Sequence, residues 1–305
     1  MSPAPGVISA GTIPTASTTT PTTVMYRSTP TSTQSLDIYQ PNVSLGDAPA
    51  TGACCYIFHG GGFTSSTASS LDTQVVSLAR RLAKIGITAL AVNYRYAQAG
   101  VPSSQFPGAT LDAMCAIRWG QYNLATYGAD WHRAGVIGLS AGGTLAAHAV
   151  LCMRLGIVTL PNGTSLYEPS APYQPGPHDR KLVARYGTCY AVFDVTNPAA
   201  VTSNPFPNLY TYLGVANQAD PQFTPRAQDA SPGLLAHNDP TLFHWHGHGS
   251  SDTIVFPAQT STFAPSNCTI ITGETHNYDP GASGIDLAAN LTMFWGGRGS
   301  LIGGL

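Results

Sequence analysis

Two hydrophobic rhythms alternate through the middle of the chain. Residues 54–60 (CCYIFHG) are a continuous apolar run closed by glycine, the pattern of a strand buried on both faces. Residues 71–86 (LDTQVVSLARRLAKIG) instead place Leu71, Val75, Leu78, Leu82 and Ile85 at helical spacing and stop at Gly86. The pair of signals then repeats: ITALAVNYR at 87–95 reads as a strand and TLDAMCAIRWGQYNLATYG at 110–128 as a helix. RAGVIGLS at 133–140 and AGGTLAAHAVLCMRLG at 141–156 give a third such pair. This alternation predicts βαβ units and an α/β fold, a mostly parallel central sheet with helices on both faces. Further on, TCYAVFDV (188–195), TLFHWHG (241–247) and CTIITG (268–273) read as three more strands, and GIDLAANLTMFWG (284–296) as a closing helix.

Outside these elements the pattern thins. Residues 1–34 are rich in Thr, Pro and Ser and are expected to be irregular, leading into a possible hairpin through TVMYRST (23–29) and QSLDIYQP (34–41). Residues 35–305 show neither repeats nor a linker and read as one domain. Within it, the rhythm is lost in a Pro- and aromatic-rich stretch near 194–226, whose length suggests a lid or pocket wall.

Charge narrows the partners. Only 9% of the 305 residues are charged and the formal net charge is −2, which removes the electrostatic case for nucleic acid or an anionic membrane surface. A small, weakly charged partner fits better. The most apolar stretch, 134–160, is broken by glycines, His148 and Arg154, so no membrane span is expected. The first residues lack the basic and apolar regions of a secretory signal. Cys54, Cys55, Cys115, Cys152, Cys189 and Cys268 lie inside expected strands and helices, where free thiols pack as small hydrophobes. The low charge and the Thr, Ser, Asn and Pro content lean instead towards an extracellular protein with one or two disulfides, so thiol state and compartment stay open.

The chemistry begins at GLSAGG, residues 138–143, which matches G-x-S-x-G at an expected strand-to-helix junction. Gly138 and Gly142 leave room for a sharp turn that exposes Ser140 at a helix N-terminus, where backbone donors favour negative charge. A serine that attacks a carbonyl builds an oxyanion, and the HGGGF run at 59–63 supplies bare backbone to receive it. The expected donors are the N–H groups of Gly61, Gly62 and Ala141. The base and its orienting acid are sought beyond later strands: Asp252 in HGHGSSDTIVFP and His276 in GETHNY, in the order Ser, Asp, His that such elbows carry. Asp229, Asp239 and Glu274 are weaker candidates for the acid. His244, His246 and His248 alternate as metal ligands could, but without a nearby Cys or second carboxylate to complete a set. Strand-end packing, or a loop that positions Asp252, is the expected use, and no metal is expected. Phe63, Phe206, Tyr210, Tyr212 and Phe223 are candidates for apolar pocket walls.

Taken in order, HGGGF (59–63), AVNYR (91–95), FPGATLDAMCAIRW (106–119), YGAD (127–130), GLSAGG (138–143), SPGLL (231–235), HGHGSSDTIVFP (246–257) and GETHNY (273–278) resemble the α/β-hydrolase esterases with an HGGG oxyanion loop. These are the hormone-sensitive-lipase-like enzymes and the neighbouring carbohydrate and feruloyl esterases. The resemblance covers about residues 35–296 and implies an α/β-hydrolase fold. It also implies serine-dependent ester hydrolysis by Ser140, His276 and Asp252, with His59 and Gly60 shaping the loop and no cofactor. Position 139 is Leu where lipase-like members often carry an acid. The segment before His59 lacks the amphipathic helices of the lipase-like cap, and 255–268 is shorter than usual before the last strand. Together these departures point to short-chain or accessible bulky esters, including aryl, carbohydrate or polymer esters. An amidase or acyltransferase with the same triad, and a non-catalytic binding protein on a hydrolase scaffold, stay open as alternatives.

Overall fold

The structure, a computed structural model, describes residues 17–279 without 30–31, 66, 177, 198–206, 236–240 and 265. Strands β1 (Thr22–Thr29), β2 (Ser32–Tyr39), β3 (Cys54–Phe58), β4 (Thr88–Val92), β5 (Ala134–Leu139), β6 (Arg185–Cys189), β7 (Phe243–Gly249) and β8 (Cys268–Ile271) form one sheet. Their order is β1-β2-β4-β3-β5-β6-β7-β8. β1 pairs antiparallel with β2, and β2 with β4; every later neighbour is parallel. The expected α/β fold is therefore present, with the hairpin added at one edge. β1 and β2 form the hairpin expected through 23–29 and 34–41, so residues 22–29 are strand and not irregular as expected for 1–34.

Period-2 alternation sorts the core into two layers. Cys54, Tyr56 and Phe58 of β3 face a large cluster with helices α2 (Gly108–Asn123) and α3 (Ala141–Leu155). Cys55 and Ile57 face the opposite way, onto Val75, Leu78, Ala79, Leu82 and Ala83 of α1 (Thr73–Lys84). Leu71 stands outside α1 and is exposed. All five residues of β3 are buried, as the continuous apolar run predicts. All six cysteines are free thiols, and only Cys268 is not fully buried, so the disulfide alternative is set aside.

Shorter helices follow: α4 (Asp179–Leu182), α5 (Pro207–Leu213), α6 (Phe223–Ala230) and α7 (Ala258–Phe263). Two expectations change. TCYAVFDV does not continue as a strand, because β6 ends at Cys189 and Tyr190 adopts a left-handed backbone, φ 44°, which turns the chain. The closing helix expected at 284–296 lies outside the described residues. Among those described, no helix is long and apolar enough to cross a membrane.

A buried ionic cluster ties distant segments to the sheet. Arg95, just past β4, donates from Nε and its backbone N–H to Asp112 Oδ2, both at 2.9 Å, and from a terminal nitrogen to Oδ1 at 2.8 Å. It also donates to the Ser103 carbonyl at 2.7 Å. Arg27 of β1 adds a second guanidinium 3.2 Å from Asp112 and contacts Glu168, as ion pairs without hydrogen-bond alignment. The side chains of Arg27 and Asp112 are wholly buried. Removing the shared carboxylate leaves two buried cations with only Glu168 between them, so Asp112→Ala should cost about 3–5 kcal/mol. Urea unfolding would measure it, and a loss near zero would contradict the account.

Candidate active site

The sheet reverses its winding direction between β3 and β5. From β3 the chain crosses to β4 on one side, and β5 lies on the other, so the crevice at their carboxyl ends is where ligands bind in open α/β sheets. The parallel register pairs Phe58 with Gly138. The loop after β3 and the turn after β5 therefore leave the sheet at the same level.

Ser140 occupies that turn with φ 52° and ψ −122°, a strained conformation for a residue with a Cβ. Its N–H donates to the Cys189 carbonyl at 2.9 Å, and its own carbonyl accepts from Gly143 and Thr144 at the start of α3. The neighbouring glycines are required by space. A Cβ at Gly142 would stand 2.2 Å from the His59 carbonyl oxygen and 2.3 Å from that of Phe58; one at Gly138 would stand 2.2 Å from the Gly142 oxygen. On the facing loop a Cβ at Gly60 would meet the Ser140 Cβ at 3.3 Å. Gly61 (φ 110°), Gly62 (φ 57°) and Phe63 (φ 68°) continue in left-handed backbone. Among the described residues, the N–H groups of Gly61, Gly62 and Ala141 have no hydrogen-bond partner. His59 is buried, stacks on Tyr94 with centroids 4.2 Å apart, and donates from Nδ1 to the Gly60 carbonyl at 2.7 Å. The Tyr94 hydroxyl donates to the His59 and Gly60 carbonyls at 2.7 and 3.1 Å, which pins the loop from below. Burial lowers the His59 imidazole from its ordinary value and keeps it neutral.

The later loops bring two more side chains to the serine. His276 Nε2 lies 3.0 Å from Ser140 Oγ, and its Nδ1–H donates to Asp252 Oδ2 at 2.8 Å. Asp252 Oδ1 accepts from the N–H groups of Ile254 and Val255 at 2.8 and 2.9 Å. A second imidazole, His248, lies 3.0 Å from Oδ2 and 2.8 Å from the Val255 carbonyl through Nε2, and 2.7 Å from the Thr260 hydroxyl through Nδ1. Both neighbours of Nε2 are acceptors, so the proton sits there. Burial by itself would raise the Asp252 carboxyl, but hydrogen bonds from His248 and His276, the charge of His276 and the Val255 N–H outweigh it. The carboxyl is held well below the usual carboxylate range.

Other expectations fall differently. His244 and His246 hydrogen-bond to each other at 2.9 Å, and Thr188 and Asn267 take their remaining nitrogens. Among the described residues no group of three or more His, Cys, Asp or Glu is arranged to hold a metal ion. Asp229 is buried and accepts from the turn at Asn162 and Thr164, while Asp239 lies outside the described residues. A cavity of about 240 Å³ over Ser140 is lined by Gly61, Gly62, Phe63, Ala141, Val192, Asn208, Ile254, Val255, His276 and Asn277. Among the described residues, Phe63 is the one expected aromatic wall that faces it. Tyr212 stacks behind Phe63 with centroids 4.0 Å apart, and Tyr210 and Phe223 pack on each other farther back. Phe206 lies outside the described residues. The aliphatic wall of Val192, Ile254 and Val255 and the amide of Asn208 were not anticipated; the IV pair beside Asp252 was the one available signal.

A family model described as alpha/beta hydrolase fold matches residues 55–244, and the chain belongs to that family. Among curated proteins it is 30% identical over 202 residues to ethyl acetate hydrolase of Pseudomonas putida, across 65% of this chain and 58% of that protein. It is 28% identical over 137 residues to hormone-sensitive lipase of Homo sapiens, 45% of this chain and 12% of the lipase. The chain thus spans less than two thirds of either relative. Among solved structures, a truncated carbohydrate esterase from gut microbiota superposes with a TM-score of 0.67 at 19% identity, covering 92% of this chain and 96% of that one. Esterase 2 of Thermogutta terrifontis superposes with a TM-score of 0.63 at 20% identity, over 92% and 93%. At these identities the structural likeness bears on the fold.

Asp252 also makes a prediction for stability. A carboxyl lowered in the folded state contributes stability that is present above the unfolded value of about 4 and lost as pH falls towards the folded one. Wild type should therefore exceed Asp252→Asn in unfolding free energy at pH 6, and the gap should narrow by pH 3. Urea melts at the two pH values check this; a gap independent of pH would contradict it.

Proposed function

We propose that the protein is a carboxylic ester hydrolase working through an acyl-enzyme on Ser140. The observation that carries this reading is the unbroken line Ser140 Oγ, His276, Asp252 beside three N–H groups that have no partner among the described residues. The relatives named esterase, lipase and ethyl acetate hydrolase support the same chemistry.

In this reading Ser140 Oγ attacks the ester carbonyl and its proton passes to His276 Nε2. Asp252 holds the imidazole by Nδ1 and stabilises the imidazolium that forms. The oxyanion is received by the N–H groups of Gly61, Gly62 and Ala141, each donor of this kind being worth roughly 2.7–4 kcal/mol in the transition state. When the C–O bond breaks, the leaving alcohol takes the proton from His276. Water then attacks the acyl-enzyme by the reverse route, releases the acid and restores Ser140. No step calls for a cofactor.

The cavity favours short acyl groups, since about 240 Å³ falls below the roughly 300–1,000 Å³ of sites that enclose drug-sized ligands. Bulkier alcohol moieties, aryl or sugar, would extend through its mouth. The stretch near 194–226 would act as a pocket wall through Asn208 of α5.

A chromogenic short-chain ester should give a stoichiometric burst followed by slower turnover. Ser140→Ala should abolish the burst and lower kcat by about six orders of magnitude, and Asp252→Asn by about four. Turnover retained in Ser140→Ala would overturn the reading. Matched amides tested in parallel would expose an amidase instead.

A further inference from the structure

Tyr190 stands where the strand pattern would not put it. Along β6, Tyr186 faces the layer of α2 and α3, while Cys189 faces the layer of α1. Alternation would return the next residue, Tyr190, to the α2 and α3 side. Instead its ring lies in the α1-side layer, on the same face as Cys189, and Ala191 takes the place on the other side. The reversal is made by a backbone φ of 44°, which is a genuine outlier for an aromatic residue. Two bonds clamp the turn: the Cys189 carbonyl accepts from Ser140 N–H at 2.9 Å, and Tyr190 N–H donates to the Gly247 carbonyl at 2.8 Å.

What the strained turn achieves is a contact with His276. The two rings lie with centroids 4.7 Å apart at 61°, and the Tyr278 ring packs against Tyr190 at 5.1 Å and 76°. Ser140 and Asp252 hold the imidazole only along its own plane, through its two nitrogens. Neither resists tipping of the ring about the line that joins them. The Tyr190 hydroxyl is buried and has no partner among the described residues, so the phenol ring and not the oxygen makes the contact.

We propose that Tyr190 is a positioning residue for the general base, held in a left-handed backbone so that its ring fixes the tilt of the His276 plane and with it the direction of the Nε2 lone pair towards Ser140 Oγ. This rests on His276 being that base. It predicts that the ring matters for the chemical step and little for substrate binding, and that the hydroxyl matters for neither.

The test compares Tyr190→Phe, Tyr190→Leu and Tyr190→Met, the last two keeping apolar bulk without an aromatic face, with each concentration fixed by titrating Ser140 with a small organophosphonate. In Leu and Met variants kcat should fall about 10- to 100-fold with KM within about twofold, the range a small misplacement of a reacting group produces. Tyr190→Phe should restore kcat to within about twofold of wild type, on the same kind of estimate. A second readout needs no substrate. The downfield proton resonance of His276 Nδ1–H should stay sharp in wild type and Phe and broaden in Leu and Met. Wild-type kcat and a sharp resonance in either folded variant would overturn the proposal, as would a loss in Phe equal to that in Leu. If no ester is turned over by wild type, the ester hydrolase reading fails, while the resonance still tests the positioning of the imidazole.

Discussion

The site depends on how closely three backbone segments approach one another at the end of the sheet. The carbonyls of Phe58 and His59, the turn at Ser140 and the first residues of α3 meet so tightly that position 142 has no room for a single methyl group. That contact fixes Ser140 in a strained backbone and sets its hydroxyl against the loop of Gly60, Gly61 and Gly62. Among the described residues the N–H groups of Gly61, Gly62 and Ala141 have no protein partner, and all three residues line the cavity over Ser140. The serine and these donors thus meet at one steric constraint. Strain of this kind, of order 1–3 kcal/mol per residue, persists only where the surroundings over-determine it.

The carboxylate of Asp252 and the imidazole of His276 are held by a different principle, saturation of hydrogen bonds. Asp252 accepts from two backbone N–H groups and two imidazoles, so its carboxylate has little freedom to rotate or to take a proton. His248 in turn is anchored by Thr260 of α7, which links the acid to a helix rather than to its loop alone. The rim of the pocket is built more loosely, from aliphatic side chains and the amides of Asn208 and Asn277. Under the proposed function, chemistry would rest on the sheet ends and substrate choice on the loops around them, the division common in α/β folds.

Much of this was legible from local pattern. The strand-to-helix alternation, the elbow at Ser140 and the glycine run after β3 are each encoded within a few residues, because they reflect backbone geometry that side-chain size permits or forbids. Asp252 and His276, which the structure brings into one hydrogen-bonded line with Ser140, could be singled out because glycine-bearing loops after strands are few and their order along the chain is constrained. The aromatic pocket walls could not be placed, since whether Phe63, Tyr212 or Phe223 faces the cavity is settled by how α5 and α6 pack behind the loop. The cluster of Arg27, Arg95, Asp112 and Glu168 was equally hidden, as its members come from four distant segments.

The sequence by itself determined the layered α/β architecture, the strained turn at Ser140 and the candidate triad, because periodicity, glycine placement and chain order are local or sequential properties. Tertiary structure alone decided that β6 stops at Cys189 and that Tyr190 crosses to the His276 side. It alone decided that His248 shares the Asp252 carboxylate and that Phe63 meets the cavity while Tyr212 packs behind it. Those outcomes depend on which surfaces meet across the sheet ends, where Ser140 and His276 lie 136 residues apart in the chain yet within hydrogen-bonding distance. Contacts over such separations are chosen by packing among many segments at once, and no short stretch of sequence carries that information.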